Sequence, residues 1–319
     1  MKKILITGGA GFIGSNLTDF FLKKGDYVLS VDNFLTSSPT NVKPFLSNSR
    51  FTFKKIDLLK SDIKKFVGNQ KIDIIYHLAS PASPKQYIKY PLETLFVNSL
   101  STYMLLNFIK DYSSKTIFIF ASTSEVYGDP EVHPQNETYW GNVNPVGVRS
   151  CYDEAKRFGE ALCMTFYRKY DIDIRIARIF NTYGPNMEKN DGRVISNFVV
   201  QALSGKPLTV YGKGTQTRSF CYVSDLVMAL SLMAQKSIKG EIVNLGNNHE
   251  IPIIDIANFI KKITNSKSKV IYKILPQDDP KRRCPDIDKA KKKLQWKPIV
   301  SIEKGLPQTI QYFKERFRL

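Results

Sequence analysis

Two side chains near the middle of the chain have the types and the spacing of an acid–base pair. Tyr152 and Lys156, in the stretch "CYDEAK", lie four residues apart at the start of a predicted helix, so they share one helix face. A lysine cation beside a phenol lowers the pKa of the phenol, which allows a tyrosinate to act as a general base near neutral pH. This spacing is common on helix surfaces, and only the surrounding motifs make it specific.

A second group of polar side chains follows an apolar strand. The stretch "KTIFIF" is apolar on both faces, as in a parallel sheet covered by helices, and "ASTSEVYGDP" comes directly after it. Thr123, Ser124 and Glu125 are therefore predicted at the carboxyl edge of the sheet, where open α/β folds bind their ligands. A turn rich in serine and threonine is the alternative interpretation of this stretch alone.

A glycine-rich loop near the N-terminus predicts a dinucleotide site. The stretch "ITGGAGFIG" places Gly8, Gly11 and Gly14 between a strand and a helix, where backbone N–H groups can approach a pyrophosphate. Asp32 ends the next strand; it can bind an adenosine ribose and would repel a 2′-phosphate, so NAD is favoured over NADP. A plain tight turn is the alternative. The other predicted cofactor contacts are Phe12, Ile13, Asn33, Asp57, Leu58, Leu78, Ala79 and Ser80, with Tyr152 and Lys156.

Alternating strands and helices position these groups. Strands are predicted at residues 2–7 and in "YVLSVD", "RFTFKKID", "IDIIYHLAS", "KTIFIFAS" and "DIRIARIF", with helices to about Lys24, over 91–110 and over 150–170. This order predicts a Rossmann-type, doubly wound parallel α/β sheet. After "NTYGP" the elements are shorter: a helix at 194–203, the strand "LTVYG" and a helix from Val223. We expect an NAD-binding domain over 1–180 and a smaller, interwoven, mainly substrate-binding lobe over 181–319.

The composition bounds the class of protein. The chain has 319 residues, of which 42% are hydrophobic and 24% charged, as in a soluble globular protein, and no apolar run is long enough to span a bilayer. The net charge of +18 is dispersed, which favours a solvated surface over a nucleic-acid partner. Four scattered cysteines indicate reduced thiols, a cytoplasmic protein without a membrane anchor, and no metal site.

In combination, these motifs resemble the extended short-chain dehydrogenase/reductase family along nearly the whole chain. The resemblance implies that Thr123 helps Tyr152 bind the 4-hydroxyl of a sugar nucleotide while nicotinamide takes the C4 hydride. It also implies a homodimer, because members of this family pair through the two long helices near 91–110 and 150–170 in a four-helix interface.

The two residues after Thr123 separate three subclasses of this family. Sugar-nucleotide 4,6-dehydratases carry Asp–Glu, because expelling the 6-hydroxyl needs an acid, and UDP-galactose-type 4-epimerases carry small or neutral residues. The UDP-glucuronate decarboxylases (UDP-xylose synthases) carry Ser–Glu, as Ser124 and Glu125 do here. The chain resembles these decarboxylases also in "HLASPASP", "YWGNVNP", "RIFNTYGP", "NDGRVISNF", "LTVYGKGTQTRSF" and "QDDPKRRCPD".

That resemblance implies NAD-dependent conversion of UDP-glucuronate to UDP-xylose: C4 oxidation, loss of CO2 from the 4-keto acid, C5 protonation and C4 re-reduction. An arginine fork suits a carboxylate and stabilises developing negative charge, and two arginines would offset the two phosphates. The implied catalytic residues are Thr123, Glu125, Tyr152, Lys156 and Arg283. The implied substrate contacts are Ser124, Arg149, Asn181, Arg193, Tyr211, Arg218 and Arg283.

Several alternatives remain open. A UDP-glucuronate 4-epimerase would keep the carboxylate and invert C4, and another NAD-dependent sugar-nucleotide epimerase or dehydratase would share the first oxidation. An inactive sugar-nucleotide-binding regulator would bind without turnover, which the intact Thr123, Tyr152 and Lys156 disfavour. Phe96 stands where animal and plant decarboxylases have a lysine, so we expect one carboxylate or phosphate contact to differ.

Overall fold

A large parallel sheet organises the protein, whose computed structural model describes residues 1–275 and 282–319. The seven strands of this sheet are β1 (Lys3–Thr7), β2 (Tyr27–Asp32), β3 (Phe51–Lys55), β4 (Ile74–His77), β5 (Ile117–Thr123), β6 (Ile174–Ile179) and β11 (Ile242–Leu245). Their order is β11-β6-β5-β4-β1-β2-β3, and every neighbouring pair is parallel. The chain changes direction across the sheet between β1 and β4, the point where such folds bind ligands.

Helices cover both faces of the sheet. Those of the first 180 residues are α1 (Phe12–Lys23), α2 (Ile63–Val67), α3 (Pro84–Lys89), α4 (Pro91–Tyr112) and α5 (Ser150–Tyr170). Those of the later part are α6 (Val194–Leu203), α7 (Val223–Gln235), α8 (Ile253–Thr264), α9 (Asp288–Leu294) and α10 (Ile302–Phe317). Short 3-10 helices occupy Pro39–Asn41, Lys43–Phe45 and Ser124–Tyr127.

The strands are apolar on both faces because both faces are packed. Ile4 and Ile6 of β1 join a core with α1 and α7, while Leu5 faces the opposite core, formed with α4 and α5. This burial explains why continuous apolar runs, rather than alternating ones, marked the strands in the sequence. The predicted Rossmann-type fold is confirmed, and so are the predicted strands and long helices of the first 180 residues.

The later part of the chain builds a smaller lobe around its own core. Its strands are β7 (Thr182–Tyr183), β8 (Leu208–Tyr211), β9 (Thr217–Ser219), β10 (Cys221–Tyr222), β12 (Glu250–Pro252), β13 (Val270–Lys273) and β14 (Arg282–Arg283). Phe198, Ile256 and Phe313 bring α6, α8 and α10 into this core. However, β11 returns to the large sheet, and α7 and α9 pack against it. A domain division near residue 180 stays a proposal.

The helix that carries the predicted acid–base pair lies unusually close to the sheet. A Cβ atom on Gly159 of α5 would stand 2.4 Å from Cζ of Phe120 in β5, so only glycine allows this approach. One turn earlier, α5 therefore brings Lys156 down to the end of β5. Among the described residues, no helix is both long enough and apolar enough to cross a membrane.

Candidate active site

One cleft of about 960 Å³ runs along the carboxyl edge of the large sheet and into the smaller lobe. Every residue that the sequence predicted for cofactor or substrate lines it. From the first two βα units and β4 these are Gly8, Gly11, Phe12, Ile13, Gly14, Asp32, Asn33, Asp57, Leu58, Leu78, Ala79 and Ser80. From β5, α5 and the smaller lobe they are Thr123, Ser124, Glu125, Arg149, Tyr152, Lys156, Asn181, Arg193, Tyr211, Arg218 and Arg283.

The glycine loop has the shape of an anion cradle. Gly8 has φ +71°, and a Cβ there would stand 2.8 Å from the backbone nitrogen of Ala79. A Cβ on Gly14 would stand 2.3 Å from the carbonyl oxygen of Gly8, so α1 could not start this close to β1. Gly11 caps α1 without a side chain and faces the cleft, so the first-turn N–H donors are open to a ligand.

Asp32 connects two loops at the end of β2. Its Oδ2 accepts from the backbone N–H of Ala10 (3.0 Å), and its Oδ1 accepts from the N–H of Phe34 (2.8 Å) and the hydroxyl of Ser37 (2.8 Å). Burial raises the pKa of Asp32, and these hydrogen bonds lower it in part. A glycine cradle, open helix N–H donors and a carboxylate at the next strand end fit a bound dinucleotide.

Tyr152 and Lys156 are brought together, but their electrostatics differ from the expectation. The Nζ atom of Lys156 donates to the carbonyl of Ala121 (2.6 Å) and lies 5.9 Å from the centre of the Tyr152 ring. Burial lowers the pKa of Lys156 to about 7. Burial also raises the pKa of Tyr152, and a hydrogen bond with Thr123 offsets this only in part. In the protein alone the pKa of Tyr152 is therefore raised and not lowered, because desolvation is the largest effect, and the role of Lys156 stays a prediction.

A second aromatic ring, which the sequence analysis missed, stacks on the tyrosine of the predicted acid–base pair. Tyr87 of α3 stacks on Tyr152, with ring centres 4.9 Å apart and an angle of 5° between the ring planes. The guanidinium carbon of Arg149 lies 5.9 Å from the centre of the Tyr87 ring. Burial raises the pKa of Tyr87, whose hydroxyl has no hydrogen-bond partner among the described residues. Only its position soon after "HLASPAS" pointed to the cleft, and a tyrosine in a short helix is usually a packing residue.

Glu125 is held between two arginines. Its Oε2 accepts from Nη2 of Arg149, and its Oε1 accepts from Nη1 of Arg283. Burial alone would raise the pKa of Glu125, but the charges and hydrogen bonds of both guanidinium groups hold it well below its usual range. Glu125 is therefore ionised at neutral pH, and Arg283, which is 3% exposed, is a buried cation paired with it.

A glutamine clamps the segment that carries Arg283. Gln135 donates its backbone N–H to the carbonyl of Cys284 (2.9 Å), and its Oε1 accepts from the N–H of Cys284 (2.9 Å). The carbonyl of Gln135 accepts in turn from Nδ2 of Asn244 in β11 (2.9 Å). Since β14 also pairs with β9 in the register Arg283 to Arg218, these two arginines reach the cleft side by side.

The remaining predicted contacts differ in their pairing and in their exposure to the cleft. Arg193 makes a two-point ion pair with Asp191 (2.6 and 2.7 Å) and lies over the ring of Phe12. Tyr211 is 40% exposed at the cleft surface. Phe96 is 50% exposed on α4 and is not one of the residues that line the cleft. Residues 277–281, the first half of the motif "QDDPKRRCPD", lie outside the described residues.

Comparisons with known proteins agree with this cleft. Residues 5–309 match the family described as GDP-mannose 4,6 dehydratase. The chain is 49% identical to UDP-glucuronic acid decarboxylase 1 of Danio rerio, covering 98% of this chain and 72% of that protein. Identity to UDP-glucuronic acid decarboxylase 1 of Arabidopsis thaliana is 46%, covering 98% and 70%. A solved UDP-glucuronic acid 4-epimerase of Bacillus cereus, in complex with UDP-glucuronic acid and NAD, superposes with a TM-score of 0.90 at 32% identity, covering 98% and 99%.

The fold and the cleft define an enzyme of the short-chain dehydrogenase/reductase class. Within that class, the chain belongs to the UDP-glucuronic acid decarboxylase family. This confirms the family predicted from Ser124, Glu125 and the motifs around them.

The charge of Asp32 should set the choice between NAD and NADP. We expect the protein to bind NAD at least about tenfold more tightly than NADP, because the carboxylate repels a 2′-phosphate. Asp32→Asn keeps an acceptor for the Phe34 N–H but removes the charge, so the affinity ratio should fall toward one. Asp57→Asn, two residues after β3, removes a charge at another point of the cleft and is the matched control, which should leave the ratio unchanged. Titration with NAD and with NADP measures the affinity ratio. An unaltered ratio in Asp32→Asn would contradict the prediction that Asp32 selects NAD.

Proposed function

We propose that the protein converts UDP-glucuronate to UDP-xylose and CO2, with NAD regenerated in each turnover. The observation that carries this proposal is the Glu125 carboxylate held by Arg149 and Arg283 in the same cleft as Tyr152. Two guanidinium groups suit a reaction in which a carboxylate is lost and negative charge develops on an enolate. The names of the most similar relatives support the same reaction.

The oxidation step uses Tyr152 and Lys156, the proposed acid–base pair of α5. When bound, NAD supplies the hydride acceptor and later the hydride donor for C4 of the sugar. Tyr152 takes the proton of the 4-hydroxyl, and Thr123, hydrogen-bonded to Tyr152, orients it. Because burial raises the pKa of Tyr152 in the free protein, positive charges near the phenol, such as that of Arg193, must favour the tyrosinate. Lys156, whose Nζ lies 5.9 Å from the centre of the Tyr152 ring, adds positive charge beside the phenol, and Tyr87 stacks on the same ring.

Loss of CO2 then follows from the chemistry of a β-keto acid. The electrons of the C5–C6 bond pass into the C4 ketone as CO2 leaves, and the enolate oxygen gains the charge. Nε of Arg283 is buried and has no hydrogen-bond partner among the described residues, so it is a donor available to the carboxylate or the enolate. Glu125 keeps both guanidinium groups oriented, which lowers the entropic cost of using them.

A second reaction, C4 epimerisation of UDP-glucuronate, is favoured by one comparison. The Bacillus cereus 4-epimerase shares the fold over nearly the whole of both chains. That reaction would retain the carboxylate and needs no stabilisation of an enolate formed by loss of CO2. The Ser124–Glu125 pair and the two arginines on Glu125 favour decarboxylation instead.

We also propose that two copies associate through α4 and α5. Large apolar side chains are about half-exposed along one side of α4, at spacings of four and then three residues: Leu92, Phe96, Leu100 and Tyr103. Phe158 is similarly exposed on the neighbouring α5. An apolar patch of this extent supports a second copy as its cover, with two helices from each chain. Phe96 then serves this interface, which explains why it stands outside the cleft.

The proposed function is tested by incubating the protein with UDP-glucuronate and NAD and identifying the products. We expect CO2 release and UDP-xylose in the proton NMR spectrum. Tyr152→Phe should lower turnover by at least about a hundredfold, the usual scale for loss of a general base, while NAD still binds. UDP-galacturonate as the sole product would establish the epimerase, and absence of any turnover by the unmodified protein would support a regulator.

Loss of either member of the buried ion pair should stop product formation. Glu125→Ala and Arg283→Ala should each bind UDP-glucuronate but make UDP-xylose at least about a hundredfold more slowly, comparable to losing a positioned oxyanion donor. Arg282→Ala is the matched control, because its side chain is exposed next to Arg283, and it should keep nearly full activity. Calorimetry measures binding and NMR the product. Near-normal rates in either alanine variant would remove that residue from the catalytic set.

The proposed dimer can be broken at a single exposed position. Leu100→Arg places a charge in the α4 patch and should convert a dimer into a monomer at micromolar concentration. Leu46→Arg, at an exposed site far from α4 in sequence, is the control and should remain dimeric. Light scattering gives the mass of each. A monomeric unmodified protein would contradict the proposal.

A further inference from the structure

A second carboxylate, which the sequence analysis did not single out, is buried beside Glu125. Asp153, the residue after Tyr152, is 6% exposed. Its Oδ2 lies 3.7 Å from Nε of Arg149, and its Oδ1 is buried with no hydrogen-bond partner among the described residues. Glu125 therefore has close pairing with both arginines, whereas Asp153 has only one long contact with one of them.

The charged groups around Asp153 come from three segments. Glu125 faces it from the 3-10 helix after β5, Arg149 from the turn before α5, and Arg283 from β14. On α5 itself Glu154 adds a further negative charge. The neutral titratable groups that interact with it are Cys151, Tyr87 and Tyr152. Among these described residues, Glu125 and Asp153 supply two carboxylates, and Arg149 and Arg283 supply two guanidinium groups.

A substrate carboxylate would upset this balance. UDP-glucuronate would bring a third carboxylate to the same two arginines and leave the buried cluster with one excess negative charge. Burying an uncompensated charge is costly, and a titratable group neutralises itself instead when it can. The carboxylate that takes up a proton most readily is the one with the weakest pairing, Asp153, because Glu125 keeps its two ion pairs.

The electrostatics of the free protein agree with this ranking. Burial first, and then the charge of Glu125, raise the pKa of Asp153 to about 7, against the opposing effect of Arg149 and Arg283. Asp153 is thus mostly ionised at pH 8 and mostly protonated at pH 6, and a further negative charge nearby must raise its pKa again.

We propose that Asp153 takes up a proton when UDP-glucuronate binds, so that two arginines face one enzyme carboxylate and one substrate carboxylate. The inference rests on the proposed function for the identity of the substrate. The proton taken up by Asp153 also matches the stoichiometry of the reaction, because loss of CO2 and protonation of C5 consume one proton for each turnover. Once the neutral sugar of UDP-xylose fills the site, Asp153 is a carboxylate again and the cluster has its original charge.

Calorimetric titration in buffers of different ionisation enthalpy counts the protons taken up on binding. The measurement uses full-length Tyr152→Phe saturated with NAD, so that UDP-glucuronate is not consumed. We expect an uptake of more than about half a proton at pH 8 and clearly less at pH 6, where Asp153 already carries the proton. UDP-xylose lacks the carboxylate and should give an uptake close to zero at both pH values.

Variants assign the proton to one residue. Asp153→Asn, a neutral analogue of the protonated acid, should bind UDP-glucuronate with no more proton uptake than UDP-xylose causes. Between pH 6 and 8.5 its affinity for the two ligands should change in parallel, because the titration of Lys156 in the same cleft affects both. With Asp153 present, affinity should fall by up to about tenfold per pH unit above pH 7. Glu154→Gln removes one charge from the next position, where Glu154 is partly exposed and paired with Arg157, and should keep the uptake.

Each contrary result has a defined meaning. Uptake that persists in Asp153→Asn, uptake equal for UDP-xylose, or no uptake at pH 8 overturns the proposal. NAD binding shows whether Asp153→Asn is folded. If the folded variant does not bind UDP-glucuronate, the proposal is also overturned, since the amide should replace the protonated acid. If that variant does not fold, the pH dependence of affinity for UDP-glucuronate relative to UDP-xylose decides the matter with Asp153 present. Failure of the decarboxylase function appears separately, as the wrong product from the unmodified protein.

Discussion

A single buried carboxylate, Glu125, holds together three segments that are far apart in the sequence. It follows β5 directly, and its two ion pairs attach it to the residue that precedes α5 and to β14 of the smaller lobe. Breaking one side of such a pair leaves an uncompensated buried charge, at a cost of about 3–5 kcal/mol. The position of the smaller lobe over the cleft therefore depends on the same interaction that arranges the arginines for chemistry.

A second buried ion pair gives this arrangement a rigid base. Arg178 of β6 makes two hydrogen bonds to Glu160 of α5 (2.9 and 2.7 Å), and Ser122 donates to the same carboxylate (2.5 Å). Arg178 also reaches the hydroxyl of Tyr127, which donates to Asn244 of β11 (2.8 Å). Because Asn244 is hydrogen-bonded to Gln135 and Gln135 to Cys284, the network runs from α5 to the segment that carries Arg283. Buried polar groups that are hydrogen-bonded to one another in this way favour one geometry.

The sequence predicted what is encoded locally and missed what depends on distant contacts. Gly8, Asp32 and the strand before Thr123 could be recognised because each lies within one βα unit whose turn, cap and apolar pattern are contiguous. By contrast, the stacking of Tyr87 on Tyr152 and the burial of Asp153 arise from contacts between separate elements, and so does the clamp formed by Gln135. The pKa of Tyr152 was misjudged for the same reason: spacing along a helix indicates a neighbour but not the amount of water that packing removes.

Three arginines that line the cleft are already paired with carboxylates of the chain. Arg193 is already paired with Asp191, and Arg149 and Arg283 are already paired with Glu125. Such pairing reduces the net positive charge, but it fixes the direction of each guanidinium before the ligand arrives, which lowers the entropic cost of binding. The donors that remain open to a ligand include Nε of Arg283 and the N–H groups at the start of α1. The net charge of +18 on the whole chain therefore explains less of the recognition than the geometry of a few buried pairs.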